Sequence, residues 1–364
     1  MSRISGFLKE IKVVDLSRHL PGPLASLLMV DMGARVIKVE PPQGEEMRFI
    51  GPQAATGNSA YFDAVNAGKT GVKLDLKDTA QRAQLLELLS DADVLIESFR
   101  PGVLEKLGIG IEFLRLEFPR LLICSLNGYG AQSPLKNDVG HDLNYLAMNG
   151  VLAGTGTVSE TVAPWPPLAD CAASLFGLST ILGALLERER SGQGCHVEVA
   201  LADSVMPLMV FSLAELGLKG RGIPRAEDLL NGGAARYRTY RTSDGFYVAL
   251  GAVEPKFWQA FCNAAGHPEW IARGDGPMPQ PALQQEVADY FAGLTLEQCN
   301  ARFGAVDCCF NQVLELHQAV ETPHLQARKL VVRDADGQYQ ALYPAYVDGE
   351  PPGERERFRE AVRK

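Results

Sequence analysis

The stretch IKVVDLSRHLPGPLASLLMVDMGARVIKVE, residues 11–40, decides the fold of this 364-residue chain. Residues 11–15 and 35–40 are short runs rich in β-branched side chains, and each predicts a strand. Between them, a Pro-Gly-Pro turn leads into a predicted helix over residues 24–32. A strand, a helix and a second apolar strand within 30 residues are typical of a parallel α/β sheet.

The same alternation returns further along the chain. Residues 94–98 and 121–126 are apolar and predict strands, and they follow predicted helices at about 78–90 and 111–117. Near-continuous apolar strands separated by helices indicate a doubly wound, Rossmann-like parallel sheet with both faces covered. Ligands of such sheets bind at the carboxyl ends of the strands, so the loops SRHLPGP, ESFRPGV and NGYGAQSP are of interest.

The large α/β domain is predicted to span residues 1–200. Its last elements are a long helix over 170–191, which stops at SGQG, and a strand over 195–201. Residues 345–364 are predicted to return to this domain and complete it. The final stretch, ERERFREAVRK, favours a solvated helical tail.

A second, smaller α+β domain is predicted over residues 229–324. Its first signal is a hairpin within 237–250, in which YRTY and FYVAL flank a Ser-Asp-Gly turn. Helices are predicted to follow this hairpin. Residues 201–228 and 325–344 are interpreted as the outgoing and returning linkers.

The bulk composition excludes several classes of partner. Hydrophobic residues make up 46% of the chain, and the net charge of −9 argues against binding nucleic acid, which requires a basic surface. The seven cysteines form no C-x-x-C pair, and no His cluster has metal-ligand spacing, so we expect reduced thiols and no metal. The absence of G-x-G-x-x-G argues against a dinucleotide cofactor.

The N-terminal residues lack the features of a signal peptide, and the apolar segment 205–218 is broken by Pro207 and Glu215. This segment is too short to span a bilayer. The sequence therefore predicts a cytoplasmic protein without a membrane partner.

Three ionisable side chains stand out because each lies among small or apolar residues. They are His141 in GHDLNY, Asp170 in LADCA and Glu254 in GAVEP. A polar group in such surroundings costs free energy unless it is paired or used. One imidazole and two carboxylates are suited to general acid and base catalysis. Each has an ordinary alternative, because helix starts also favour such residues, and Asp142 is interpreted as a helix cap.

The segments that carry these residues resemble those of a known family. Together with NAGKTGVKLDL, ESFRPGVLEKLGIG and LERERSGQGCHVEVAL, the segment of residues 11–40 resembles the family III CoA-transferases (CaiB/BaiF superfamily) over essentially the whole chain. GHDLNYLAMNG, LNGGAARYRTYRTSDGFYVALGAVEPKFW and VDCCFNQVLE are similar to the α-methylacyl-CoA racemase branch of that family.

The resemblance implies an activity and an assembly. It implies a 2-methylacyl-CoA racemase of lipid metabolism that moves a proton at Cα through an enolate, with His141 (paired with Glu254) and Asp170 as the two bases. It also implies an interlocked homodimer and no cofactor beyond the coenzyme A of the acyl-CoA substrate. The alternative is a family III CoA-transferase, in which Asp170 forms an acyl anhydride. A CoA-binding protein without chemistry is the third possibility.

The resemblance also suggests which residues contact CoA. Lys69 and Arg100 are the implied phosphate or adenine contacts, and the backbone at Gly128 and Tyr129 is implied to line the pantetheine channel. Many relatives have an arginine directly after the acid that closes the second strand, but Pro41 stands there in this chain.

Further departures concern specificity and the missing arginine. Arg48 and Arg35 are the candidates to replace the arginine that Pro41 displaces. Leu20 stands where formyl-CoA transferases carry a glutamine, which counts against that type of transferase. Cys171 and its neighbours after Asp170 are bulkier than the glycine-rich segment of racemases, which indicates a different acyl group.

Overall fold

The structure is a computed structural model that describes residues 2–334 and 337–361. The chain forms two compact units. The first comprises the described residues within Met1–Asn149, Pro166–Leu208 and Val320–Lys364, and the second comprises Gly150–Trp165 and Met209–Ala319.

The strands are, in chain order, β1 (Lys12–Asp15), β2 (Arg35–Glu40), β3 (Thr70–Lys73), β4 (Val94–Glu97), β5 (Leu122–Asn127), β6 (His196–Ala200), β7 (Tyr237–Arg241), β8 (Tyr247–Gly251), β9 (Phe310–Gln312), β10 (Val331–Arg333), β11 (Tyr339–Ala341) and β12 (Arg359–Glu360). The α-helices are α1 (Pro21–Asp31), α2 (Ala60–Asn66), α3 (Thr79–Leu89), α4 (Val103–Lys106), α5 (Ile111–Glu117), α6 (Asp142–Met148), α7 (Val151–Gly154), α8 (Leu168–Ser191), α9 (Val210–Lys219), α10 (Pro255–Ala265), α11 (Trp270–Arg273), α12 (Pro281–Ala292), α13 (Leu296–Phe303), α14 (Leu316–Ala319) and α15 (Pro323–Arg328). Short 3-10 helices lie at Arg3–Gly6, Glu46–Phe49, Asp203–Met209 and Leu229–Asn231.

The first unit is built on a parallel sheet, as the sequence predicts. Within the described residues the sheet has seven strands in the order β12-β3-β2-β1-β4-β5-β6. Val13 of β1 pairs with Val36 on one side and with Val94 on the other, so the strand order reverses at β1. Crevices at such a reversal are the usual ligand sites of open α/β sheets.

Helices cover both faces of this sheet. Leu85 of α3 and Leu114 of α5 pack with Val14 and Ile123 of the strands on one face. On the opposite face α8 packs against α1, β5 and β6. This arrangement explains why the central strands are apolar without alternation, because neither face meets water.

Helix α8 is the longest helix of the first unit. It has 24 residues, and an 18-residue window within it has a mean hydropathy of 1.6, so by length and composition alone it is able to cross a membrane. Its Ser174 hydroxyl donates to the carbonyl of Pro21 at 2.8 Å, and Ala172, Ala173 and Gly177 are buried. These contacts are those of a core helix that packs on α1 and the sheet.

The second unit has a three-stranded antiparallel sheet in the order β7-β8-β9. Its core is aromatic, and Trp258, Phe261, Phe291 and Phe303 are each at most 1% exposed. The rings of Trp258 and Phe261 stack with centroids 5.4 Å apart. The hairpin predicted within residues 237–250 forms the first two strands of this unit.

The units divide the chain differently from the predicted domains. Residues 150–165, expected within the large domain, belong to the second unit, and so do residues 209–228, which were interpreted as part of a linker. Residues 325–344, the predicted return linker, belong to the first unit, where β10 and β11 form a hairpin. The order of predicted elements along the chain does not show which of the two units a connecting segment packs with.

The C-terminal stretch also differs from its prediction. Residues 354–358 form no helix, and β12 at Arg359–Glu360 pairs in parallel with β3 at Thr70 and Gly71. Pairing with a sheet edge overrides the helical preference of this charged sequence. Residues 362–364 of the predicted tail lie outside the described residues.

Candidate active site

His141 lies directly before α6, and its side chain is exposed. Its backbone N–H donates to Asn144 Oδ1 at 3.0 Å, which fixes the start of the helix. The preceding residue, Gly140, is held by two tyrosines. Tyr145 Oη donates to the carbonyl of Gly140 at 2.7 Å, and a Cβ added to Gly140 would lie 2.6 Å from Tyr129 Oη. Only glycine fits between these rings without displacing one of them.

Asp170 is the third residue of α8 and is partly buried. Burial, together with the smaller effect of the Asp142 charge, raises the pKa of its carboxyl to about 6, although the charge of His141 opposes this. A carboxyl with such a pKa is able both to release and to accept a proton near neutral pH.

The side chain of Asp142 connects the two candidate bases. Its Oδ1 accepts hydrogen bonds from the backbone N–H of Ala169 at 2.6 Å and of Asp170 at 3.2 Å. The sequence predicts that Asp142 caps the start of its own helix, but its side chain caps α8 instead. Contacts between distant parts of the chain, which local sequence does not specify, explain this difference.

Glu254 lies in the second unit, at the N-cap position of α10, and is exposed. Its charge contributes to raising the pKa of Cys309, after the larger effect of burial, so the carboxylate and this thiol are neighbours. Cys309 itself is exposed. The structure thus brings His141 and Asp170 together in the first unit. The pairing of Glu254 with His141 stays a prediction.

Lys69 is buried inside the first unit and is 1% exposed. Its ammonium lies 3.3 Å from Asp15 Oδ2 and donates to the carbonyl of Pro23 and to Asn66 Oδ1, both at 2.9 Å. Burial lowers the pKa of Lys69 to about 8. Burial raises the pKa of Asp15, but the charges of Lys38 and Lys69 outweigh this effect together with hydrogen bonds from Ser17 and Ser26, and the pKa of Asp15 is lowered to about 2. The ammonium is therefore used within the protein, which argues against the predicted contact with CoA.

The other implied CoA contacts lie at the ligand edge of the sheet. Arg100 is exposed in the loop after β4, and its Nη1 lies 3.5 Å from the carbonyl oxygen of Asn137. Gly128 follows β5 directly, and the ring of Tyr129 packs edge-on against Tyr145 at a centroid distance of 5.2 Å. Of these three positions only Arg100 is exposed, whereas Gly128 and Tyr129 are partly buried.

A cavity of about 460 Å³ lies at the carboxyl ends of β1 to β4. Arg18 after β1 and Lys77 after β3 line it together with the ring of Phe99, and the lining also includes the acids Glu40 and Asp75. Arg18 also lies 5.8 Å from the centroid of Phe99. Arg18 belongs to the loop SRHLPGP, which the sequence marks as a loop of interest, although its side chain was not named as a contact. Lys77 was not predicted because no strand was expected at residues 70–73, so the loop after β3 had no place in the sheet.

The two arginines proposed to replace the one missing at Pro41 are unsuitable. Arg48 forms a bidentate ion pair with Glu40, with both N–O distances at 2.6 Å, and also pairs with Glu360. Arg35 begins β2 and is therefore at the opposite edge of the sheet from the cavity. Among residues 2–334 and 337–361, no group of three or more His, Cys, Asp or Glu has an arrangement that holds a metal ion.

The sequence profile of CoA-transferase family III matches residues 8–355. The human α-methylacyl-CoA racemase is 34% identical over 330 residues, which cover 88% of this chain and 81% of that protein. The acetyl-CoA:oxalate CoA-transferase of Acetobacter aceti is 34% identical over 260 residues, which cover 71% of this chain and 66% of that protein. Relatives of both activities thus resemble this chain to a similar degree.

Solved structures have the same fold. The crystal structure of a CAIB/BAIF family protein from Brucella suis has a TM-score of 0.83 and 25% sequence identity. The match covers 98% of this chain and 95% of that protein.

Proposed function

The chain belongs to CoA-transferase family III, and from that premise we propose that it is a 2-methylacyl-CoA racemase. The family supports an enzyme that acts on CoA thioesters. One observation carries the finer proposal. The residue after His141, Asp142, accepts a hydrogen bond from the backbone N–H of Asp170 at 3.2 Å, so the segment with the imidazole is joined to a carboxyl whose pKa is raised to about 6. A transferase requires the carboxylate but has no use for the imidazole.

The proposed reaction inverts the configuration of Cα through two proton transfers. The Asp170 carboxylate removes the α-proton, and the electron pair of the C–H bond moves into an enolate whose charge rests on the thioester oxygen. The imidazolium of His141 then donates a proton to the opposite face of Cα. The opposite stereoisomer reacts with the two roles exchanged, since each step leaves one base protonated and the other free.

The enolate oxygen requires hydrogen-bond donors that are already in place. The N–H groups of Ala169 and Asp170 are bonded to Asp142, so they are not free for this purpose. We therefore place the thioester oxygen near the first turn of α6, beside His141.

The cavity at the carboxyl ends of β1 to β4 is our candidate for the nucleotide end of CoA. Arg18 and Lys77 supply positive charge for phosphate groups, and Phe99 supplies an aromatic surface for the adenine. Arg100, Gly128 and Tyr129 remain candidates for the pantetheine. We propose no cofactor beyond the CoA of the substrate.

We propose a homodimer, as the family resemblance implies. Exposed apolar side chains on α9 support a partner, because none of its ten residues is buried within the chain. Phe211 is 67% exposed and Leu218 is 84% exposed. Contiguous apolar surface of this kind is typical of protein interfaces.

The second candidate function is transfer of CoA between carboxylic acids. The similarity to the oxalate CoA-transferase favours it, and Asp170 is then the nucleophile that forms an acyl anhydride. The two candidates differ in the fate of the α-proton, because anhydride formation leaves it in place.

Deuterium exchange tests the proposal. The protein is incubated in D₂O with a panel of 2-methyl-branched acyl-CoA esters, and the α-methyl signal is followed by proton NMR. A racemase replaces the α-hydrogen with deuterium, so the methyl doublet collapses to a singlet and both stereoisomers appear. No exchange across the panel, together with CoA transfer from acetyl-CoA to oxalate, would reject the racemase in favour of the transferase.

A further inference from the structure

Asp142 occupies an unusual position for a helix-capping residue. It belongs to α6, but its Oδ1 accepts the N–H groups of Ala169 and Asp170, the second and third residues of α8. The residue at the N-cap position of α8 is Pro167, and its side chain has no hydrogen-bond acceptor. The first N–H groups of a helix have no partner within it, so α8 depends on Asp142 for its cap.

The two hydrogen bonds connect the segments that carry the candidate bases. His141 is the neighbour of Asp142 in the chain, and Asp170 donates its own N–H to the Asp142 carboxylate. A displacement of α6 relative to α8 would break these bonds and separate the imidazole from the Asp170 carboxyl. Asp142 therefore controls a distance on which a two-base reaction depends.

The charge of Asp142 is a separate feature from its hydrogen bonds. Of the charged groups that act on the Asp170 carboxyl, Asp142 and His141 both come from the α6 segment and have opposite signs. Tyr145 of α6 and Cys171 of α8 are the nearby uncharged titratable groups.

On the other elements packed against α8, the described residues supply no further charge that contributes to the pKa of Asp170. The only charged residue within α1 is its last, Asp31, and this is paired with Arg355. On β5 and β6 the titratable side chains are Cys124, His196 and Glu198, which do not contribute to the pKa of Asp170. Asp142 is therefore the single negative charge that acts on this carboxyl within the described residues.

We propose that Asp142 is a positioning residue that ties the start of α8 to the His141 segment and holds a fixed negative charge beside the Asp170 carboxyl. This inference rests on the proposed racemase function for its catalytic consequence. A carboxylate beside another carboxyl favours the protonated form of the second. In a two-base racemase Asp170 must carry a proton for half of each cycle, and the charge of Asp142 serves that state.

Two substitutions separate the charge of Asp142 from its hydrogen bonds. Asp142→Asn keeps an oxygen that accepts from Ala169 and Asp170 but removes the charge, whereas Asp142→Ala removes both. Asp138→Asn is the matched control, because it removes a charge from an exposed side chain four residues away. The titration of Asp170 is followed by NMR in protein labelled with ¹³C at the aspartate carboxyls, with Asp170→Asn used for assignment. Deuterium uptake by the acyl-CoA is measured as a function of pH.

In Asp142→Asn we expect the midpoint of the Asp170 titration to fall by about one pH unit, because the like charge is gone. The acid limb of the exchange profile should move to lower pH by a similar amount. Asp142→Ala should in addition lower exchange about 10-fold or more at every pH, as expected for misplaced reacting groups. Asp138→Asn should leave both the titration and the profile unchanged.

An unchanged Asp170 midpoint in Asp142→Asn would overturn the inference, whatever the activity. The same holds if Asp138→Asn moves the midpoint equally, because the effect is then one of net charge. Since the NMR titration needs no substrate, it separates the two proposals. A shifted midpoint in a protein that exchanges no α-proton would reject the racemase while supporting the coupling of Asp142 to Asp170.

Discussion

The imidazole of His141 distinguishes the two reactions proposed for Asp170, because racemisation requires it and CoA transfer does not. We expect His141→Gln to lower α-proton exchange by at least ~10²-fold, the lower end of what a positioned acid or base contributes. His324→Gln, which alters an exposed histidine on α15, is the control and should retain the rate of the unaltered protein. Deuterium uptake from D₂O measures both. Full exchange activity in His141→Gln would remove this residue from the chemistry.

Glu97 ends β4 and is 4% exposed. Burial raises its pKa from 4.5 to about 7, although hydrogen bonds from Ser125 and from the backbone of Phe99 oppose this. The folded protein therefore binds a proton that the unfolded chain has lost, and the free energy of unfolding falls as pH rises from about 4.5 to 7. A shift of this size corresponds to about 3 kcal/mol.

Glu97→Gln removes this titration, so the variant should be more stable than the unaltered protein at pH 8 and closer to it at pH 5. Chemical denaturation at the two pH values measures the difference. Glu112→Gln, an exposed acid on α5, should not alter the dependence on pH. An equal fall in stability between pH 5 and pH 8 in Glu97→Gln would contradict the prediction.

For individual residues, the sequence indicates which side chains are candidates for catalysis better than it indicates which groups each side chain contacts. His141 and Asp170 are recognisable because polar groups in small, apolar surroundings are conspicuous and because their motifs resemble those of a family. Lys69 shows the limit. Its motif indicates a ligand contact, but its partners Asp15, Pro23 and Asn66 occupy the ammonium, and two of them are more than 40 residues away in the chain.

The loop that carries His141 depends on the fit between Gly140 and two tyrosine rings. Gly140→Ala would place a methyl group 2.6 Å from Tyr129 Oη and 2.9 Å from Tyr145 Cε1. We expect about a 10-fold or greater loss of exchange from displacement of His141. The denaturation midpoint should change little, because the loop lies at the surface. Tyr129→Phe in the same protein removes the closer contact and should restore part of the rate. Full activity in Gly140→Ala alone would show that the rings do not hold the loop.

At the level of elements, apolar runs predict strands well and short polar elements poorly. β1, β2, β4 and β5 lie within one or two residues of their predicted bounds because their central positions are buried. β3, with the sequence TGVK, and α2 are short and carry polar residues, and neither was predicted. Because β3 was not predicted, the strand that pairs with β12 was unknown. The C-terminal residues were therefore expected to be helical.

Assembly belongs to the scale of the whole molecule. We expect the chain to sediment as a dimer, and Phe211→Glu on α9 to shift it towards the monomer, because a charge would be buried at an apolar interface. Leu116→Glu, on α5, introduces the same charge at another exposed leucine and should leave the dimer intact. Analytical ultracentrifugation at several protein concentrations measures this equilibrium. A monomer at every concentration that still exchanges the α-proton would contradict the homodimer.

The two units have a consequence for how this gene is able to change. The chain leaves the first unit after residue 149, returns at 166, leaves again after 208 and returns at 320. A genetic crossover at only one of these points would combine part of a unit with the complementary part from another protein. It would also place β12 and β3, which pair with each other, in segments of different origin. Replacement of the second unit by recombination therefore requires that both of its segments, Gly150–Trp165 and Met209–Ala319, are exchanged together.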